Sequence, residues 1–338
     1  MDVFIFSFLL TLFLTPIIRK LSLKFNIVDT PTKRKVHEVP IPRLGGIAMY
    51  LSFVATLLLR SSLDNTMQGI ILGSFILFVL GTLDDICKKG IPAPIKLIAQ
   101  IFSAWVVVHF FDVRIEFITN PFTRDLIFFD WLEQPLTIFW IVGIINAINL
   151  IDGLDGLAAG VGSIAAFTLF VVAILLGRFE VAILLLALFG VTLGFLRYNF
   201  SPASIFMGDT GSMFLGYILA VASVHGVLKS TASMALAIPL LALGIPIADT
   251  VLAIFRRLRN KQHIFKPDSE HLHHQLLLFG FSHKQVVLLI YYISIILGLG
   301  ALLLALTDGL VQIVIFLVIF VFILYGILVF KDTKKKFK

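Results

Sequence analysis

Long apolar runs alternate with short polar connectors along the whole chain. The runs fall near residues 3–18, 44–59, 68–83, 95–111, 135–151, 157–176, 180–196, 211–228, 232–255, 285–306 and 310–330. Most approach the roughly 20 residues that carry an α-helix across about 30 Å of hydrocarbon. The pattern predicts an all-α polytopic membrane protein of about eleven transmembrane helices, forming one integral membrane domain over 1–338. The separations at Gly177-Arg178 and Asp308-Gly309 are the narrowest. Met1-Asp2 opens the chain without a basic segment, and no A-x-A-like site follows the first run. That run therefore reads as a retained helix, not a cleaved signal. Val113-Arg114-Ile115-Glu116-Phe117 alternates apolar and polar residues. A short hairpin on the membrane surface is expected there, with Trp131 as an interfacial anchor.

Composition removes the rival classes. The chain is 59% hydrophobic and 14% charged, with a mean hydropathy of +1.03. Soluble domains hold about 45–50% apolar and about 25% charged residues. A single cysteine, Cys87, allows no intrachain disulfide and no cysteine metal site. The net charge of +7 reports topology, not nucleic acid. On the eleven-span map, 22 of the 27 Lys and Arg residues fall on one side. That side is cytoplasmic by the positive-inside rule. The N-terminus is then outside and the C-terminus inside, and Lys334–Lys338 meets anionic headgroups.

The acids and histidines of interest share this cytoplasmic face. Asp84 and Asp85 end the third run. Like charges there repel each other and face the negative end of the helix dipole. A divalent cation or another cationic partner relieves both strains; a solvated pair screened by Lys88 and Lys89 is the alternative. Asn146, Asn149, Asp152 and Asp155 follow within ten residues, interleaved with Gly153 and Gly156. Their oxygens suit a hard cation or a nucleotide, and the glycines allow close backbone approach. In Phe206-Met207-Gly208-Asp209-Thr210-Gly211-Ser212, Asp209 or Thr210 could simply cap a helix. A helix start beside glycine also suits phosphate, with Asp209 holding metal. His271, His273 and His274 lie near Arg256, Arg257, Arg259, Lys261 and Lys266. Without an HExxH pattern, diphosphate binding or proton transfer is favoured over zinc. Asp249 lies seven residues before Arg256 on one helical face, which predicts a structural ion pair.

Pro42-Arg43-Leu44-Gly45-Gly46, Asp84-Asp85, the NxxNLxDGLDGL run from Asn146, the FMGDxGS run from Phe206 and the HxHH of His271 occur in this order. Together they resemble the polyprenyl-phosphate N-acetylhexosamine-1-phosphate transferases over about Asp29 to Leu276. Within that family the chain is similar to the bacterial undecaprenyl-phosphate GlcNAc-1-phosphate transferase branch. The sister branch, phospho-N-acetylmuramoyl-pentapeptide transferase, has three consecutive histidines where this chain has His271-Leu272-His273-His274. Eukaryotic dolichyl-phosphate enzymes lack the two acids supplied here by Asp152 and Asp155.

The resemblance implies transfer of GlcNAc-1-phosphate from UDP-GlcNAc to undecaprenyl phosphate, with release of UMP. It implies Mg²⁺, Mn²⁺ being able to substitute, held by Asp209 and Asn149. It places Asp155, Asn199 and Phe206 at the nucleotide, and Arg257, His271 and His274 near the sugar diphosphate. Arg43 joins the substrate-binding set, and Asp84, Asp85, Asp152 and His273 the catalytic one. A bacterial inner membrane and a homodimer are implied by analogy. A secondary transporter fits less well, because its ionisable groups would sit near the midplane within internal repeats. Asp152-Gly153 could begin a CDP-alcohol phosphotransferase motif, but no Arg and spaced Asp pair follow.

Overall fold

The computed structural model describes residues 2–30, 40–61, 64–87, 90–120, 123, 125–228, 234–263 and 271–321. Its helices are α1 (Asp2–Lys24), α2 (Gly45–Arg60), α3 (Asn65–Ile86), α4 (Ala93–Phe110), α5 (Glu133–Ile151), α6 (Leu157–Leu175) and α7 (Phe179–Asn199). They continue with α8 (Gly208–Ser223), α9 (Ala237–Ala242), α10 (Gly244–Arg259), α11 (Leu272–Leu278) and α12 (His283–Leu306). A further apolar helix, α13, covers Gly309–Val321.

Eight helices among the described residues are long and apolar enough to cross a membrane, and α2 and α13 are shorter. Of the described residues 78% are helical, as an all-α polytopic membrane protein should be. The run at 232–255 differs from expectation. It forms two helices that break at Leu243-Gly244. The cause is local: Pro246 has no N–H to offer the Ala242 carbonyl, and its ring would clash there. The surface hairpin does form. Strand β3 (Phe117–Thr119) pairs antiparallel with β4 (Leu126–Phe128), in a register that sets Phe117 opposite Phe128. Two further short strands, Val28–Asp29 and Ile41–Pro42, also pair antiparallel.

Helix α8 is the axis of the bundle. It is buried continuously from Thr210 to Ser223, enclosed by α2, α3, α5, α6 and α7. Small residues permit this density. A side chain at Gly81 of α3 would run into the backbone of Thr210, so α3 and α8 meet backbone to backbone near their site ends. Outside this core, α1 packs on α7 with the stripe Val3, Ser7, Thr11, Thr15, Ile18 and Ser22. The hydroxyls cost little there, since Thr11 and Thr15 donate to the carbonyls of Ser7 and Thr11. On the far flank α12 packs against α6 and α9.

Candidate active site

The C-terminal end of α3 meets the N-terminal end of α8, and the site is built at this junction. The first turn of α8 has orphan N–H groups that need an acceptor. Its own N-cap residue, Met207, supplies none. The acceptor comes from α3. Asp85, 3% exposed, takes the amides of Asp209 (2.9 Å) and Thr210 (3.1 Å) and the Thr210 hydroxyl (2.6 Å). Self-capping by Asp209 or Thr210 is therefore replaced by a cap from another helix. Gly208 makes this possible: its φ is +66°, and any side chain there would strike the Asp85 carboxylate.

Asp84 accepts from the Ile91 amide at 2.5 Å and from Lys96 Nζ at 2.9 Å. Lys96, in the first turn of α4, also reaches Asp209 Oδ2 at 2.5 Å. One ammonium thus bridges two carboxylates. Asn149, at the end of α5, donates Nδ2 to Asp209 Oδ1 (3.4 Å) and to Ser212 Oγ (2.8 Å). One layer deeper, Asn146 donates to Gln100 Oε1 at 2.7 Å, and Gln100 to Met213 Sδ at 3.5 Å. Asp84, Asp85 and Asp209 offer oxygens that lie within 4.8 Å of one another, so they could hold a metal ion. Three hard carboxylates this close, two of them bridged by one ammonium, fit a hard divalent cation.

The DGLDGL segment closes one side. Asp152 ends α5, and burial, followed by the charges of Asp209, Asp85 and Asp155, pushes its carboxyl up to about 8. Gly156 is left-handed and starts α6. Asp155 and Asn199, both expected at the nucleotide, stitch this segment to the loop at 200–206. Asp155 Oδ2 accepts from the Ala203 amide at 2.8 Å. Asn199, 3% exposed, accepts from Gly156 N (3.2 Å) and donates to the Ile205 carbonyl (2.9 Å). From α12, the Tyr291 hydroxyl donates to the Gly156 carbonyl at 2.5 Å. Phe206 is half-buried and its backbone pairs with Pro42 and Gly45. Arg43 donates Nε to the Asp85 carbonyl (2.7 Å) and Nη2 to the Cys87 carbonyl (3.3 Å), so it binds the end of α3.

The histidines do not form a loop, because His271 is the N-cap of α11 and His273 and His274 lie inside that helix. His271 is also the partner of Asp249, in place of the expected Arg256: Nδ1 lies 2.8 Å from Asp249 Oδ2. Asp249 is on the buried face of α10, whereas Arg256 and Arg257 belong to its last turn. His273 is 2% exposed, packs against Gly153, and is pushed down to about 4 by burial and by its neighbour His274. His274 is half-buried, with its ring 4.2 Å from that of His273. Arg257 is half-buried. Lys88, Lys89, Lys266 and the Lys334–Lys338 tail lie outside the described residues.

Sequence reasoning missed Lys96 and gave Asp249 the wrong partner. Lys96 had one signal, a lone cation in an apolar run, four residues before Gln100 on the same helical face.

The family model for glycosyl transferase family 4 matches residues 67–227, which span α3 to the end of the turn after α8. A Bacillus subtilis protein named "Probable undecaprenyl-phosphate N-acetylglucosaminyl 1-phosphate transferase" is 42% identical over 302 residues, covering 89% of this chain and 84% of that protein. The chain belongs to this family of transferases. Within the family, a Mycolicibacterium smegmatis protein named decaprenyl-phosphate N-acetylglucosaminephosphotransferase is 35% identical, over 87% of this chain and 79% of its own length. A Halalkalibacterium halodurans phospho-N-acetylmuramoyl-pentapeptide-transferase is 33% identical, over 88% and 94%. The resemblance carried by the motifs is thus confirmed. With its eight membrane-length helices the family member is a multi-pass bacterial membrane protein.

Proposed function

We propose that the protein transfers GlcNAc-1-phosphate from UDP-GlcNAc to undecaprenyl phosphate, giving undecaprenyl-diphospho-GlcNAc and UMP. This is the first membrane step of a cell-envelope polysaccharide, run at the cytoplasmic face. One observation carries the reading: Asp84, Asp85 and Asp209 converge with Lys96 at the capped start of α8. Such a constellation suits a diphosphate at headgroup level, with the lipid tail in the bilayer.

Asp209 and Asn149 would hold Mg²⁺, or Mn²⁺ in its place, with Asp84 in reach. A bound divalent cation would neutralise the diphosphate and make UMP a better leaving group. Asp85 keeps its oxygens on the α8 amides and so fixes Asp209. Lys96 compensates phosphate charge as a point cation. The acceptor phosphate has a second pKa near about 6 and is mostly dianionic at pH 7, so it needs no strong base. One direct displacement follows. A lipid-phosphate oxygen forms a bond to the sugar-bearing phosphorus. The bond from that phosphorus to the bridging oxygen breaks, and UMP leaves with the electron pair.

Asp155, Asn199 and Phe206 shape the nucleotide side. Arg43 sets the end of α3 beneath it. Arg257, His271 and His274 meet the sugar diphosphate. His273, kept neutral near pH 7 by burial, packs against Gly153, the neighbour of Asp152 in the chain.

The test is UMP release by the purified protein in detergent with undecaprenyl phosphate and Mg²⁺. UDP-GlcNAc and UDP-MurNAc-pentapeptide are offered separately. Release from UDP-GlcNAc alone, abolished by EDTA, is expected. Release only from the pentapeptide donor would move the protein to the sister branch.

A further inference from the structure

Asp249 is a buried carboxylate, 4% exposed, that lies outside the sequence motifs quoted above. Both of its oxygens go to one short stretch of chain. Oδ2 meets His271 Nδ1 at 2.8 Å, and Oδ1 accepts the Leu272 amide at 2.9 Å. The second bond satisfies the first amide of α11, whose N-cap residue, His271, contributes no side-chain cap. The His271 ring lies parallel to that of His273, with 7° between planes and centroids 5.9 Å apart. Nε2 of His273 is buried without a hydrogen-bond partner among the described residues. That atom lies where a side chain on Gly153 would be, next to Asp152. A line of contacts therefore runs from α10 through α11 to the DGLDGL segment. Asp249, His273 and Leu272 also line one cavity with Ile151, Leu157, Ile245 and Ile290.

We propose that Asp249 is a positioning residue of the transferase. It fixes the tautomer and seat of His271 and holds α11 so that His273 rests on the Asp152–Asp155 segment. The inference deepens the GlcNAc-1-phosphate reading and rests on it for its kinetic consequence. An ionised carboxylate only accepts hydrogen bonds, so it places the His271 proton on Nδ1. Nε2 is then the nitrogen left for substrate. Asparagine has the same shape but the opposite effect. Its Oδ1 can still take the Leu272 amide, while its Nδ2 would donate to His271 Nδ1 and drive the ring proton to Nε2. The same exchange in a carboxylate–histidine pair of a hydrolase spoils the tautomer while leaving the geometry intact.

The experiment compares the wild type with Asp249→Asn, Asp249→Ala, His271→Ala and the Asp249→Asn/His271→Ala double variant. UMP release from UDP-GlcNAc, thermal midpoint and ¹⁵N-histidine NMR are measured on each. Asp249→Asn is expected to lower kcat by about 10- to 100-fold, the range for removing a supporting carboxylate. Its KM and thermal midpoint should stay near wild type, and its His271 proton should sit on Nε2. The double variant should be no slower than His271→Ala. Wild-type kcat in Asp249→Asn overturns the proposal. So do losses that multiply in the double variant, or losses that follow unfolding. If the wild type releases no UMP from UDP-GlcNAc, the donor reading fails by itself. The tautomer then decides for Asp249: a wild-type proton on Nδ1 that moves in Asp249→Asn supports the pair, and a wild-type proton on Nε2 overturns it.

Discussion

The carboxylate junction and the histidine arm are held in different ways. At the junction, side chains bind the backbone of two helix ends, and α3 meets α8 directly. Asp85 binds α8 amides, Arg43 binds α3 carbonyls, and α3 touches α8 at Gly81. The arm has a narrower hold. Its tie to α10 is Asp249, and beyond it α10 exposes Val251, Leu252, Phe255 and Leu258. The junction is fixed by bonds from several segments of chain, whereas among the described residues the bonds from α10 to α11 come from one carboxylate.

Asp209→Ala puts the junction to the severest test. It should bring metal-dependent UMP release to the uncatalysed level while the thermal midpoint in detergent stays close to wild type. Near-normal turnover would detach the junction from the reaction. Next in size is Lys96→Met. Loss of a preorganised charge at a transferring phosphoryl group costs about 10²–10³ in kcat. The same change frees Asp84 and Asp209, so the Mg²⁺ concentration for half-maximal rate should fall. A titration that shows a rise instead would mean Lys96 supports the metal site. Asp85→Asn tests the clamp itself. Replacing one of its two accepting oxygens by an NH₂ group leaves part of the α8 cap unmade and should cost about 1–3 kcal/mol of stability, read as a lowered thermal midpoint, with activity lost alongside. Unchanged stability would remove the difference drawn between the two regions. The smallest effect belongs to the arm. His273 is held near 4, well below the ordinary histidine value of 6.5. Between those values the unfolded chain binds more protons, so stability falls as pH drops from 6.5 toward 4 and is fully present above 6.5. His273→Gln should flatten that slope in unfolding measurements from pH 4 to 7.

Much of this arrangement could be read before any coordinates. Apolar runs at 68–83 and 157–176 became α3 and α6, because each stops at an acid or glycine that ends the pattern. The alternation near Val113 became a hairpin. Asp84, Asp85 and Asp209 could be placed at one end of the bundle because each sits at a helix terminus. What stayed hidden are pairings across the chain. Lys96 and Asp209 are separated by 113 positions, and periodicity within a helix carries no trace of that bond. Asp249 misled for a related reason: the seven-residue spacing to Arg256 is a true helical neighbour relation, but burial turned the carboxylate toward α11. Arg43 was similarly opaque, since a guanidinium that binds backbone carbonyls leaves no complementary side chain in the sequence. The break at Leu243-Gly244 was marked by Pro246, yet the apolar run over it concealed the stop.

The hydroxyl of Tyr291 gives the site an order of assembly. The residue enters the membrane with α12, 135 positions after the Gly156 carbonyl that it holds. A nascent chain therefore carries every carboxylate of the junction well before the DGLDGL segment receives its last tie.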